Sequence, residues 1–334
     1  MPRRGVSLVE LLVVIAIAGS LLAILVPAVQ SARDSSRRTA CINNLRQVGL
    51  ANQNFESAKG HFPSGAISKE FSVAPWTPHN YYRWSALTQL LPFLENSKAH
   101  QAIDLDVPLY GVDFQVLAEN RDAVAVRIPE FLCPADQMEL VNPRFGPTNY
   151  AACAGAGNGG GTPFRGDGIF FINSALRIPQ IQDGLSQTVA FSESILGRTP
   201  PRNTPRADAD PRFVYGFARA APLTEASCEA TALWNFTQPR GFSWANGEYR
   251  SALYNHYWPP NSSRFDCISA VISGDVSEVH AAFGWRTARS WHANGVNAAY
   301  ADGSARFLSN DTDLVTWRAI ASRSGGELPA RTDD

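Results

Sequence analysis

From Leu8 to Val29 the chain reads LVELLVVIAIAGSLLAILVPAV, 22 residues whose only polar side chains are Glu10 and Ser20. At a rise of about 1.5 Å per residue, such a run makes a helix of about 33 Å, enough to cross a bilayer core. The segment therefore predicts a membrane-spanning helix. Glu10 is its anomaly, because a carboxylate at mid-membrane costs about 2.5–3.5 kcal/mol. A capping box between Ser7 and Glu10 accounts for the charge through the helix dipole, but it leaves Gly5 without a reason. A secretory signal peptide fits poorly, since its apolar core spans only about 7–15 residues. Arg3 and Arg4 precede the run while Arg33, Arg37 and Arg38 follow it, so the charge bias does not fix an orientation.

The helical pattern continues past the membrane segment. Ile42, Leu45, Val48, Gly49, Asn52 and Phe55 recur at spacings of three and four, the stripe of a helix lying on a folded body. One helix from Leu8 to about Ala58 would measure about 75 Å. Pro27 and the Ser35-Ser36 pair leave open the alternative of two separate helices. Beyond Gly60 the texture changes to short β-type runs such as DGIFFI, TVAFSE, RFVYGFA and GVNAAYADGSARFL, set among Gly, Pro and Asn turns. Helical stretches are expected only in WSALTQLLPFLENSKAHQAI and near LVTWRAIASR. The fold class is α+β: a long N-terminal transmembrane helix packed on a mainly antiparallel β globular domain.

Composition narrows the functions open to such a chain. With 45% apolar and 18% charged residues among 334, it can bury a large core. Lys and Arg number 29 against 30 Asp and Glu, so no basic excess suits a nucleic acid partner. The five cysteines form no CxxC pair and no metal-ligand spacing with the six histidines, so no metal and no cofactor are expected. GLSQT at 184–188 lacks the second glycine of a nucleophile elbow, and GAGNGGG at 155–161 lacks the Lys-Ser/Thr of a phosphate loop and reads as a flexible loop. No enzyme chemistry emerges. Trp234, Trp244 and Trp258 suit a glycan platform, although aromatics dominate β cores in any case.

The N-terminus resembles the signature of type IV prepilins and of the pseudopilins of type II secretion: a basic leader ending in Gly, then an apolar helix whose fifth residue is Glu. Here the leader is MPRRG, residues 1–5, and the resemblance implies cleavage between Gly5 and Val6 with N-methylation of Val6. Cleavage would create an amine four residues before Glu10, so that Glu10 can pair with it along one helix face or between neighbouring subunits and set their alignment in a filament. The segments CINNLRQVGLANQNFESAKGHFPSG, LLPFLE, FLCPAD, IQDGLSQTVAFSE and SWHANGVNAAYADGSARFL resemble the DUF1559 family of prepilin-type proteins, whose C-terminal H-x9-DG motif is met by His292, Asp302 and Gly303. The resemblance implies a pilin-like arrangement: leader 1–5, transmembrane and amphipathic helix 6–60, and a mainly β domain over 61–334.

Read physically, His292, Asp302 and Gly303 predict architecture. Asn297 to Ala301 and Ser304 to Leu308 can pair across Asp302-Gly303, with both turn residues at positive φ and His292 reaching back to the Asp302 carboxylate or a turn carbonyl. Asp183-Gly184 predicts another turn, and Glu193 a carboxylate that satisfies buried backbone donors. An exported domain favours disulfides. Cys228 and Cys267, both in the loop-rich β region, are the first candidate pair. Cys41 and Cys133, both inside family motifs, are the second and would tie the helix to the domain, leaving Cys153 free. The function implied is a non-enzymatic pilin-like or pseudopilin-like subunit of a type II secretion or type IV pilus-like system. Its partners are prepilin peptidase, other pilin-like subunits and the assembly platform, and its place is the inner membrane as a single-pass protein with a periplasmic or extracellular domain. The alternative is a membrane-anchored extracytoplasmic protein that binds a glycan or solute.

Overall fold

The computed structural model describes residues 8–94, 97–136, 141–201, 203–232, 234, 238–272 and 274–326. Helix α1 runs unbroken over Leu8–Lys59, 52 residues or about 78 Å, with Pro27 inside it. The two-helix alternative is set aside: Ser35 and Ser36 stay helical, and the backbone carbonyl of Ser35 accepts the Thr39 hydroxyl at 2.9 Å. Proline removes one N–H, yet helical residues continue on either side of it.

The two halves of α1 live in different surroundings. Residues 8–39 are exposed, with Leu8 74% and Ile24 73% accessible. From Cys41 onward one face is buried through Cys41, Leu45, Val48, Gly49, Ala51, Asn52 and Phe55. Full burial of each large aliphatic or aromatic side chain in that stripe contributes about 1.5–3 kcal/mol.

The β strands are β1 Tyr150–Cys153, β2 Val189–Glu193, β3 Tyr215–Phe217, β4 Leu253–Tyr254, β5 Asp266–Ala270, β6 Ala282–Trp285, β7 Gly295–Tyr300 and β8 Ala305–Ser309. They form a five-stranded sheet in the order β4-β1-β2-β7-β8 and a three-stranded sheet in the order β3-β5-β6. Pairing is antiparallel except for β1 with β4 and β3 with β5, which run parallel. Alternation along β1 divides the larger sheet's two faces: Tyr150 and Ala152 join the core that holds the α1 stripe, while Ala151 and Cys153 join a second core with Trp317 and Ile320. The sheet thus lies between α1 on one face and the short helix Leu314–Ala319 on the other, the latter capped by Asp313, whose carboxylate accepts the Thr316 N–H at 2.9 Å.

The stretch WSALTQLLPFLENSKAHQAI forms short pieces, Ala86–Leu90, a tighter turn Leu91–Phe93 carrying Pro92, and Ser97–Gln101, because proline inside the run interrupts a longer helix. GAGNGGG forms a turn with Gly157, Gly159, Gly160 and Gly161 at positive φ and with Gly160 and Gly161 buried.

Candidate assembly helix and its anchorage

Gly5, Val6 and Ser7 lie outside the described residues. Glu10 sits in the first turn of α1, on the exposed half of the helix. The apolar side chains around it stand clear of the domain: the window of highest hydropathy in α1 has none of its residues buried. A surface of that kind is suited to lipid or to the apolar helices of other subunits, and the lower half of the same helix fixes it to a rigid body.

That fixation is built from specific contacts. The disulfide Cys41–Cys133 links α1 to the segment before β1 and spans 92 residues of sequence. Tyr150 donates its hydroxyl to the Cys41 carbonyl at 3.0 Å, and Asn44 donates to the Leu132 carbonyl at 2.8 Å. About two and a half turns further along α1, Gln53 donates its amide to the Ala301 carbonyl, at the turn that joins β7 to β8. The Arg38 guanidinium lies 3.6 Å from the ring centre of Phe307 on β8, a cation–π contact at the upper rim of the interface.

The β7–β8 hairpin forms where expected, with Ala299 opposite Ala305, but its turn differs from expectation. Gly303 alone has positive φ, +83°, and its N–H donates to the Tyr300 carbonyl at 3.0 Å while the Tyr300 N–H donates to Ser304. This is a common turn followed by a left-handed glycine, in which Asp302 keeps ordinary φ. The Asp302 carboxylate accepts the Ser304 N–H at 2.9 Å. Its own N–H donates to the Leu185 carbonyl at 3.1 Å, tying the turn to the Asp183-Gly184 loop.

His292 does not reach Asp302, which corrects the pairing expected between them. Its Nε2 donates to Glu193 Oε1 at 3.1 Å and stands 3.7 Å from the Cys133 sulfur. Asp302 sits at the far end of β7, six residues of extended chain away from the loop that carries His292, so one side chain cannot bridge the two. Glu193 is the hub. Its Oε2 accepts the Asn297 backbone N–H at 2.8 Å, and its Oε1 accepts the Asn297 side-chain amide at 2.9 Å. Burial of this carboxylate at 2% side-chain exposure is therefore compensated by three donors. The sequence-level expectation for Glu193 named backbone donors; His292 and the disulfide as its neighbours were missed. Their one available signal was that the segments CINN, FLCPAD, TVAFSE and SWHANG each place a Cys, Glu or His beside apolar residues.

The second disulfide joins Cys228 to Cys267. Cys153 remains a thiol in β1, and burial pushes it up to about 12, which keeps it protonated and inert. Trp234 and Trp244 are buried at 3% and 0% exposure and belong to the core, whereas Trp258, the third of the expected set, is half-buried with its ring edge-on to Tyr257 and Trp285.

Three buried arginines surround another carboxylate. Asp266 accepts Arg240 Nε at 2.8 Å and Arg289 Nη2 at 3.2 Å. Burial works against its ionisation, but Arg240, Arg289 and Arg286 outweigh burial and hold the carboxyl below the usual range. Every cation here is engaged by backbone carbonyls as well, Arg286 by those of Tyr249, Ser251 and Leu253, which marks the cluster as structural glue between the two sheets.

A helix whose apolar first half stands free and whose second half is locked into a β domain defines a pilin-like, membrane-anchored subunit. The chain belongs to the DUF1559 family: residues 30–314 match the family described as protein of unknown function (DUF1559), and residues 1–26 match the prokaryotic N-terminal methylation motif. It is 33% identical over 113 residues to the type IV major pilin protein PilA of Myxococcus xanthus (strain DK1622), an alignment covering 33% of this chain and 48% of that protein. The chain thus spans about half the length of the curated relative it matches. No solved structure matches it.

Proposed function

We propose that this chain is a non-enzymatic structural subunit of a filament drawn from the inner membrane by a type II secretion or type IV pilus-like machine. Prepilin peptidase cleaves between Gly5 and Val6, and the new amine of Val6 is methylated. The mature helix crosses the membrane once, with the β domain on the periplasmic or extracellular side. On extraction by the assembly platform, the exposed half of α1 exchanges lipid for the helices of neighbouring subunits. Glu10 sets their alignment by meeting the amine of a neighbour, since a buried carboxylate needs a cationic partner.

The observation that carries this reading is the division of one continuous helix into an exposed apolar half, 8–39, and a half built into the domain from Cys41 onward. The intact mass of the protein purified from its membrane tests it. Loss of residues 1–5 together with the gain of one methyl group is expected. A chain that retains Met1, or one that begins near Arg33 as a cleaved signal peptide would leave it, contradicts the reading.

A further inference from the structure

Four side chains from distant stretches of sequence converge beneath α1. They are Cys41 on the helix, Cys133, Glu193 at the end of β2 and His292, all buried, with their heteroatoms within 4.8 Å of one another. His292 Nε2 is 3.1 Å from Glu193 Oε1 and 3.7 Å from Cys133 Sγ, and that sulfur is 3.9 Å from Glu193 Oε1. These separations resemble the edges of a tetrahedral ligand set. With zinc–sulfur distances of about 2.3 Å and zinc–nitrogen or zinc–oxygen distances of about 2.0–2.2 Å, ligand atoms stand about 3.3–3.8 Å apart. The sulfur–sulfur edge is short because the two atoms are bonded, the His292–Glu193 edge falls just below that range, and no two of the four ligand atoms stand more than 4.8 Å apart.

We propose that reduction of the Cys41–Cys133 disulfide turns this joint into a Zn²⁺ site with Cys41, Cys133, Glu193 and His292 as its four ligands. A dithiol supplies two electrons and two protons, is itself oxidised to a disulfide, and leaves Cys41 and Cys133 as thiols. Zinc then takes both sulfurs as thiolates and releases their two protons to solvent. His292 moves its ring proton from Nε2 to Nδ1, freeing the Nε2 lone pair for the metal. Glu193 binds through Oε1 while Oε2 keeps the Asn297 backbone N–H, a supporting donor that fixes the carboxylate's orientation. Two thiolates, an imidazole and a carboxylate are a donor set that favours a tetrahedral, borderline-soft ion over calcium or magnesium.

Of the four, His292 lines an open crevice of about 690 Å³ between α1 and the loops at Ala135 and Trp291–Ala293, the side from which small reductants and metal would approach the joint. Either cross-link, disulfide or zinc, closes the same connection between α1 and the domain, so the helix stays pinned in both redox states. Among the described residues no comparable group surrounds Cys228 and Cys267, which supply an internal control.

The full-length chain in detergent, reduced with dithiothreitol and desalted without oxygen, is titrated with Co²⁺ and then with Zn²⁺. We expect one cobalt per chain with the thiolate charge-transfer and visible bands of tetrahedral cobalt, displaced by one equivalent of zinc. The oxidised chain should take up none. Glu193→Gln and His292→Ala should each weaken binding at least about tenfold, while Asp302→Ala leaves it unchanged. Peptide-resolved alkylation of the reduced wild type needs no variant: zinc should protect Cys41 and Cys133 and leave Cys228 and Cys267 reactive. Octahedral cobalt only, protection that does not distinguish the two pairs, or a reduced chain whose circular dichroism zinc fails to maintain would each overturn the proposal.

Discussion

Gly49 of α1 rests directly on Gly303 of the β7–β8 turn: a Cβ at Gly49 would stand 3.1 Å from the Gly303 carbonyl oxygen and 3.2 Å from its Cα. The helix can lie this low on the sheet because Gly49 lacks a side chain, and the obstacle a Cβ there would meet is backbone, which cannot swing aside. Gly49→Ala should lower stability, and Gly49→Val should lower it further by lifting α1 off the turn. Gly303→Ala fails for another reason, since its Cβ would find only ordinary 3.6 Å contacts but would be forced into positive φ at a cost of about 1–2 kcal/mol. Thermal melts of the three full-length variants check this; a Gly49→Val chain that melts with the wild type would contradict the close contact.

Glu193, not Asp302, is the partner that His292 stabilises. Replacing Glu193 with Ala strands the Asn297 backbone N–H inside the sheet and should cost about 1–3 kcal/mol, with His292→Ala in the same range. Asp302→Ala should be mild, because its carboxylate serves one exposed turn N–H. A double-mutant cycle reads the difference: His292 and Glu193 should couple by more than about 0.5 kcal/mol, while His292 and Asp302 should add.

The Cys41–Cys133 bridge closes a long loop, 92 residues apart in sequence, and joins α1 to the domain. Cys41→Ser with Cys133→Ser should lower stability by about 2–4 kcal/mol. Hydrogen exchange of the oxidised wild type and the double variant should localise the loss to α1 beyond Cys41. Loss of protection spread evenly over the β domain would speak against a local latch.

His256 is fully buried, its ring stacked on Trp317 at 3.6 Å between centres. The Trp317 carbonyl can only accept, so Nδ1 carries the proton, leaving Nε2 to accept the Tyr254 hydroxyl at 3.0 Å. Burial pushes its pKa down from 6.5 to about 3. The unfolded chain therefore binds a proton that the folded chain refuses. The stabilisation is fully present above pH 6.5 and is lost as pH falls toward 3, by up to about 1.4 kcal/mol per pH unit. Denaturation midpoints measured across that window should fall less steeply in His256→Gln, and identical slopes would exclude His256 as the cause.

The membrane segment and the stripe from Cys41 to Phe55 are legible in the sequence because helix periodicity is local, and so is the β7–β8 hairpin, announced by Asp302-Gly303 between alternating residues. What is not legible is where the polar residues meet. Cys41, Cys133, Glu193 and His292 come from four segments far apart in the chain, and no spacing rule connects ligands brought together by sheet order β1-β2-β7 beneath a helix. The same limit explains the wrong partner for His292: a sequence-local argument offers Asp302, ten residues away, whereas the sheet delivers Glu193 from the neighbouring strand. Trp234 and Trp244 are ambiguous in composition and are resolved only by burial.

If Glu10 directs assembly of subunits through the exposed half of α1, the filament fraction of a Glu10→Ala strain reads that role out. Filaments are sheared from cells expressing wild type or variant, and the chain is quantified in the sheared and membrane fractions, with its mass confirming cleavage after Gly5. Processed, folded Glu10→Ala protein should stay in the membrane with no filament recovered. Wild-type amounts of filament from the Glu10→Ala strain would contradict it.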